Sequence, residues 1–143
     1  MKTANTCGVE IDGKYEFGKY ISDSVYVLDP EWRYLYVNNA AARFLKLPKR
    51  KILGRKITSI FPNLKNTELF KAFKKVMNTG KQEIVIHRCV FHKERWHETR
   101  ISHVQEGILC ISRDITDYKK AEEKIHESEE KFRELFENSN DLI

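Results

Sequence analysis

Residues Gly107 to Thr116 read G-I-L-C-I-S-R-D-I-T. Up to Ser112 this is the pattern of a short buried strand, rich in β-branched residues and opened by a glycine. From Asp117 the composition turns at once to helix formers, Tyr-Lys-Lys-Ala-Glu-Glu-Lys-Ile. Arg113, Asp114, Ile115 and Thr116 therefore form a junction where a strand passes directly into a long helix. Asp114 and Thr116 are both capable N-caps, and Asp117 suits the positive end of the helix dipole. A core strand wired straight into a protruding helix can transmit a change inside a domain to whatever lies beyond it.

Working outward, Arg95–Val104 reads as the preceding strand, joined to Gly107–Ser112 by a tight turn at Gln105-Glu106, and Gln82–Val90 reads as the strand before that. Leu69, Phe70, Phe73 and Val76 recur at helical spacing within Thr67–Met77, and Thr79-Gly80 ends that helix. Nearer the N-terminus, Ser24–Asp29 and Arg33–Val37 are two strands around a turn at Asp29-Pro30-Glu31. Asn38 or Asn39 caps a short helix at Ala40–Leu45, which Pro48 terminates. Two further helical turns fall within Lys49–Phe61, separated by Gly54 and stopped by Pro62. Five strands with helices inserted after the second predict an α+β domain, a five-stranded antiparallel sheet with short helices on one face. In Val9–Tyr15 an Asp12-Gly13 turn suggests a small hairpin, and Glu16–Ile21 a short capping helix; a partly ordered entry segment is the alternative. Ile84, Val85 and Ile86 do not alternate, so both sheet faces are expected to be covered, one by the helices and one by a partner or the N-terminal segment. Leu109 and Ile111 mark that outer face, where dimer contacts are expected.

The chain has 143 residues, 41% hydrophobic and 33% charged, the composition of a soluble globular domain with an appendage. No apolar run reaches the roughly 20 residues of a membrane span, so direct membrane insertion is not expected. Cys7, Cys89 and Cys110 lack framework or C-x-x-C spacing, which suits reduced thiols in a cytoplasmic setting. The net charge of +5 conceals an asymmetry: from Asp114 onward there are 5 Lys/Arg against 10 Asp/Glu, leaving 21 against 11 before it. The basic residues of the body are scattered over faces that must meet water, so nucleic-acid binding is not expected; such a binder would lose affinity steeply with salt.

Tyr118, Ala121, Ile125, Ser128, Phe132 and Leu135 follow alternating steps of three and four, the seam of a short coiled coil with Glu and Lys on its flanks. The alternative is a lone amphipathic helix packed on its own domain.

Taken in order, V-Y-V-L-D (Val25–Asp29), Y-L-Y-V-N-N-A-A (Tyr34–Ala41), I-L-G-R (Ile52–Arg55), Thr79-Gly80, Trp96 and the final D-I-T resemble a Per-Arnt-Sim (PAS) sensor domain with its C-terminal PAC-type motif. The resemblance covers about Ser22 to Thr116. It divides the chain into an entry segment (1–21), the PAS domain (22–116) and a linker helix (117–136). Residues 129–143, S-E-E-K-F-R-E-L-F-E-N-S-N-D-L-I from Ser128, resemble the lead-in to a following PAS domain, with Asp141-Leu142-Ile143 as the start of a strand. The expectation is a segment of a multi-PAS receptor, of the sensor histidine kinase kind, acting as a homodimer beside neighbouring PAS and kinase domains.

The family commonly binds a cofactor or metabolite between sheet and helices. The flavin-binding light-oxygen-voltage branch needs a cysteine where this chain has Ile57, and a glutamine where it has Ser112. Flavin photochemistry is therefore not expected. Haem-binding members often use a histidine from the long helix, and Thr67–Met77 has none, so ordinary haem binding is disfavoured. Two pocket asparagines of the flavin-binding relatives correspond here to His87 and His97. Strand period two then places Val85, His87 and Cys89 on the pocket side of one strand. His97, Thr99 and Ile101 follow on the next, and Ile108, Cys110 and Ser112 on the last. Tyr26 and Leu28 from the first strand, with Phe44, Ile57, Ile60, Phe70 and Phe73 from the helices, complete the expected pocket. Facing imidazoles can hydrogen-bond a polar metabolite, titrate near pH ~6.5, or with Cys89 hold a metal. Alternatively they are satisfied core histidines beside an empty pocket packed by Ile60, Phe70 and Phe73.

Catalytic motifs are absent: no P-loop, G-x-S-x-G, H-E-x-x-H or spaced C-x-x-C pair occurs. His126 beside Glu127 superficially resembles a phosphoacceptor box without an accompanying ATP-binding sequence. The reading is a non-enzymatic sensory module that passes pocket changes through Arg113–Thr116 to the helix; the alternative is a ligand-free interaction and dimerisation module.

Overall fold

The computed structural model describes residues 23–141. The expected N-terminal hairpin and capping helix, and Cys7, lie outside the described residues. The elements are β1 (Ser24–Leu28), β2 (Tyr34–Val37), α1 (Asn39–Leu45), α2 (Lys49–Ile52), α3 (Ile57–Ile60), a 3₁₀ turn (Pro62–Asn66), α4 (Glu68–Thr79), β3 (Glu83–Arg88), β4 (Trp96–Val104), β5 (Gly107–Asp114) and α5 (Thr116–Asp141). The sheet is antiparallel throughout, in the order β2-β1-β5-β4-β3. The α+β architecture is as the spacing predicts. Strand β5 runs two residues past Ser112, so Arg113 and Asp114 belong to the sheet, and α5 opens at Thr116 rather than Asp117.

β5 is central because its glycine lets it be. Gly107 has φ +154°, and a Cβ there would fall 2.0 Å from the Leu28 carbonyl oxygen and 2.9 Å from the Asp29 Cα. Only glycine allows β1 to cross so close to the start of β5. Across the rest of the pair, Ser24 to Leu28 lie opposite Ser112 to Ile108 without interruption.

Between β1 and β2 the register shifts after Val27, leaving Leu35 as an extra residue. Such a bulge changes which side chains share a face. Tyr34 and Val37 join the helix-facing core, whereas Tyr36 joins the outer cluster. The turn before β2 is shaped by Asp29, whose carboxylate accepts the N–H groups of Glu31 and Arg33, each at 2.9 Å. Trp32 adopts a left-handed φ of +71° there, and its ring packs on Phe70 and Phe73 of α4.

Asn38 joins strand to helix. Its Oδ1 accepts from the N–H of Ala41 (2.9 Å), capping α1, and from the N–H of Val25 (3.1 Å), while Nδ2 donates to the Asp23 carbonyl (2.9 Å). Helix α4 is capped by Thr67 and closed by Gly80 in the left-handed conformation. Its stripe of Leu69, Phe70, Phe73 and Val76 is buried against the sheet.

The two sheet faces differ. The helix-covered face holds the main core, including Phe73, Leu28, Ile52, Leu64, Ile101 and Ile108. The opposite face carries a smaller cluster, Val25, Val27 and Tyr36 with Leu35, Val104, Leu109 and Ile111 packed around it. Ile84 and Ile86 remain half-exposed on β3, so among the described residues nothing covers that edge. Helix α5 is continuous to Asp141, which is helical and not the start of a strand. Leu142 and Ile143 lie outside the described residues.

Candidate functional site

Two cross-strand rows define the site. Because β4 and β5 meet at a two-residue turn, counting outward from Val104 opposite Gly107 places Thr99 opposite Ser112 and His97 opposite Asp114. The β3–β4 register places His87 opposite His97 and Val85 opposite Thr99. One row therefore reads His87, His97, Asp114, and the next reads Val85, Thr99, Ser112, Ser24. His87 and His97, the pair implied by the resemblance, lie with ring centroids 6.0 Å apart and their planes edge to face.

Between these rows and the helices lies a cavity of about 50 Å³. Tyr26, Phe44, Ile57, His87, His97 and Ser112 line it as expected, joined by Ser24, Tyr34, Ala41, Leu45, Phe61, Leu64, Leu69 and Val90. Leu28, Phe70, Phe73, Ile101, Ile108 and Cys110 do not line it; they pack solidly in the core. Ile60 and Val85 lie against that core at its edge. Trp32 packs its ring on Phe70 and Phe73 of α4, and the cavity lies toward α1 and the His87 and His97 ends of β3 and β4. At roughly 10–15 Å³ per water-sized position the space holds about four such groups. Tyr34 entered through the β-bulge, which the alternation of residues alone does not signal.

Thr99 is buried beneath the cavity at the centre of a polar chain. His87 Nε2 lies 2.8 Å from Thr99 Oγ1, which lies 2.7 Å from Ser112 Oγ. His87 Nδ1 is 2.9 Å from the Arg88 carbonyl. Tyr26 is linked to Ser112 and Cys110, and burial raises the Tyr26 phenol and the Cys110 thiol far above their ordinary values. Burial likewise holds both imidazoles below the usual 6.5, against the Arg88 carbonyl at His87, and with help from neighbouring His87 at His97. The pair is thus shifted away from the titration near 6.5 that an exposed histidine shows. Among the described residues no three His, Cys, Asp or Glu side chains come together to hold a metal, so Cys89 does not complete a site with the histidines.

The same row reaches the junction. Asp114 Oδ2 accepts from Arg95 Nε at 2.5 Å and lies 3.9 Å from His97 Nε2, while Oδ1 accepts the Thr116 N–H at 2.8 Å. Burial opposes its ionisation, but the bonds from Thr116 and Arg95 outweigh that and hold the carboxyl at about 2. The Thr116 hydroxyl in turn accepts the Trp96 N–H (2.9 Å), and Ile115 N–H donates to the Trp96 carbonyl (2.9 Å). The Trp96 ring meets Arg88 of β3 and Lys119 of α5 at 4.5 and 4.8 Å. Residues 112–118 are therefore a braced connection, with the root of α5 fixed to β4 on both backbone atoms of Trp96. Arg95 and Trp96 were not identified as junction residues from sequence, although the hairpin register points to both.

Beyond its root, α5 stands free of the domain. Tyr118, Ile125, Phe132 and Leu135 are 60–70% exposed, as is Phe136, and Ala121 and Ser128 share that exposed stretch. No described helix is long and apolar enough to cross a membrane.

A family model described as "PAS fold" matches residues 20–120. Among solved structures, the PAS domain of BvgS from Bordetella pertussis has a TM-score of 0.63 at 16% identity, covering 85% of this chain and 98% of that one. A PAS domain from Colwellia psychrerythraea has 0.59 at 16%, covering 75% and 98%. A sensory box sensor histidine kinase from Vibrio cholerae has 0.56 at 13%, covering 79% and 98%. Comparison with curated protein sequences finds no match.

Proposed function

The chain belongs to the PAS-fold family, and from that premise we propose that it is a sensory and regulatory module of a signalling receptor of the sensor histidine kinase kind. Its own segment carries no chemistry. Occupancy or packing of the cavity biases the His97–Asp114 row, and the junction passes that bias to α5. Two copies pair through the Tyr118–Leu135 seam, assisted by the outer sheet face, within the cytoplasm and beside further PAS and kinase domains. A differential of a few kcal/mol between two arrangements is enough to shift their populations appreciably.

One observation carries the reading: Asp114 bonds the first N–H of α5 through one oxygen while its other oxygen lies beside His97, which lines the cavity. A double-mutant cycle tests it. Ala41→Leu fills the cavity from α1, and Asp114→Ala removes the shared carboxylate. Amide hydrogen exchange at Thr116–Lys119 is expected to respond to Ala41→Leu in the native background and to be insensitive to it when Asp114 is alanine. An equal response in both backgrounds sinks the coupling.

The second reading, a ligand-free interaction module, draws on the half-exposed Ile84 and Ile86. Native mass spectrometry separates the two, since only the sensory module retains a small molecule.

A further inference from the structure

Ser24, Phe44, His97 and Ser112 line both the cavity and an adjoining surface groove, so these four side chains are all that stands between the two. The inner end of the cavity is walled by Leu45, Ile57, Leu64 and Leu69. The groove is bordered by Arg43, Lys46, Arg95 and Arg113 against Asp23 and Asp114. Arg95 is already held by Asp114. Among the described residues, Arg43 of α1 and Lys46 at its C-terminal cap have no carboxylate partner, and both are exposed. The groove is thus positive on balance, within a body whose residues 1–113 carry 21 Lys/Arg against 11 Asp/Glu. A cationic mouth over an apolar recess concentrates anions at the mouth and rewards a ligand that also carries an apolar part.

We infer that cavity and groove together take a short-chain monocarboxylate of about four or five carbons, its tail in the recess and its carboxylate at the mouth. The inference rests on the sensory reading of the same cavity and names the ligand class. Room for about four water-sized groups sets the tail at three or four carbons. An organic cation meets repulsion at the mouth, inorganic phosphate has nothing to place inside, and a long acyl chain exceeds the recess. His97 and Ser112 stand at the neck, where ligand and the junction row meet.

The test is a titration of the 143-residue chain with acetate, butyrate, valerate, octanoate, 1-butanol and butylamine, followed by amide NMR. Affinity is expected to rise roughly fourfold per methylene from acetate to butyrate, as each CH₂ leaves water, and to stop rising before octanoate. Butanol and butylamine are expected to bind at least about tenfold more weakly than butyrate, and Arg43→Gln with Lys46→Gln to lower butyrate affinity about tenfold while leaving butanol unchanged. These two residues are exposed, so the variant keeps its core; Ala41→Leu, which occupies the recess, is expected to abolish binding of every compound. Butanol binding as tightly as butyrate, or carboxylate binding without chain-length dependence, overturns the ligand class. No binding by any compound, with the Ala41→Leu and Asp114→Ala cycle still coupled, also overturns the ligand class and leaves the sensory reading standing. No binding together with a silent cycle overturns both.

Discussion

Phe73 and Phe132 are the same side chain in opposite circumstances. Phe73, on α4, is fully buried between the sheet and Trp32, whereas Phe132, on α5, is 70% exposed. Around Phe73 the chain satisfies its own apolar groups. Along α5 it places Tyr118, Ile125, Phe132 and Leu135 on one seam and leaves them in water. The body is therefore stabilised by burial within one chain. The helix depends on its braced root, on local pairs such as His126–Glu130 at 3.0 Å, and on whatever it meets. A region already satisfied sets the fold; a region left unsatisfied is available to carry a signal outward.

The contrast is open to attack, first where the expected loss is greatest. Phe73→Ala should destabilise the domain by about 4 kcal/mol in urea unfolding, since it removes a full ring from a closed core. A loss near 1 kcal/mol means that the body is less self-sufficient than its burial implies. Gly107→Ala should cost about 3 kcal/mol, because the new methyl group meets the Leu28 backbone rather than a side chain that can turn away. Thr116→Val keeps the shape but leaves the Trp96 N–H without its acceptor, and should cost about 1–2 kcal/mol. Its diagnostic is local: exchange at the α5 root should rise more than exchange in β1.

Acid provides a subtler probe. Burial holds His87 and His97 below 6.5 in the folded state. As pH falls through the unfolded value the unfolded chain takes up protons first, so stability is full above about pH 6.5 and declines below it toward the lowered folded values. Denaturation midpoints measured across that window should fall, and replacing both histidines with asparagine should flatten the slope. Persistence of the same slope assigns it to other groups. Phe132→Ala should change unfolding stability of the dilute chain by less than about 0.5 kcal/mol, while weakening self-association measured by sedimentation. A large loss in the dilute monomer contradicts the separation drawn between helix and body.

Much of this was legible in the residues themselves. Period-two alternation and the two-residue turn at Gln105-Glu106 fix the β4–β5 register, and with it Thr99 opposite Ser112. An asparagine at 38 or 39 announces its helix because short polar side chains cap orphan N–H groups, and the structure selects Asn38. The strand-to-helix junction follows from an abrupt change of composition. All of these are local effects, acting within a few residues or across one tight turn.

Tertiary structure decided the rest. The bulge at Leu35 turned Tyr34 inward, the left-handed Trp32 packed on Phe70 and Phe73, and the cavity came to lie toward α1. The Arg95–Asp114 bridge, the Trp96 contacts and the wall shared by cavity and groove join residues far apart in the chain. Whether such groups meet depends on how sheet and helices pack, a balance of long-range burial that no stretch of neighbouring residues contains.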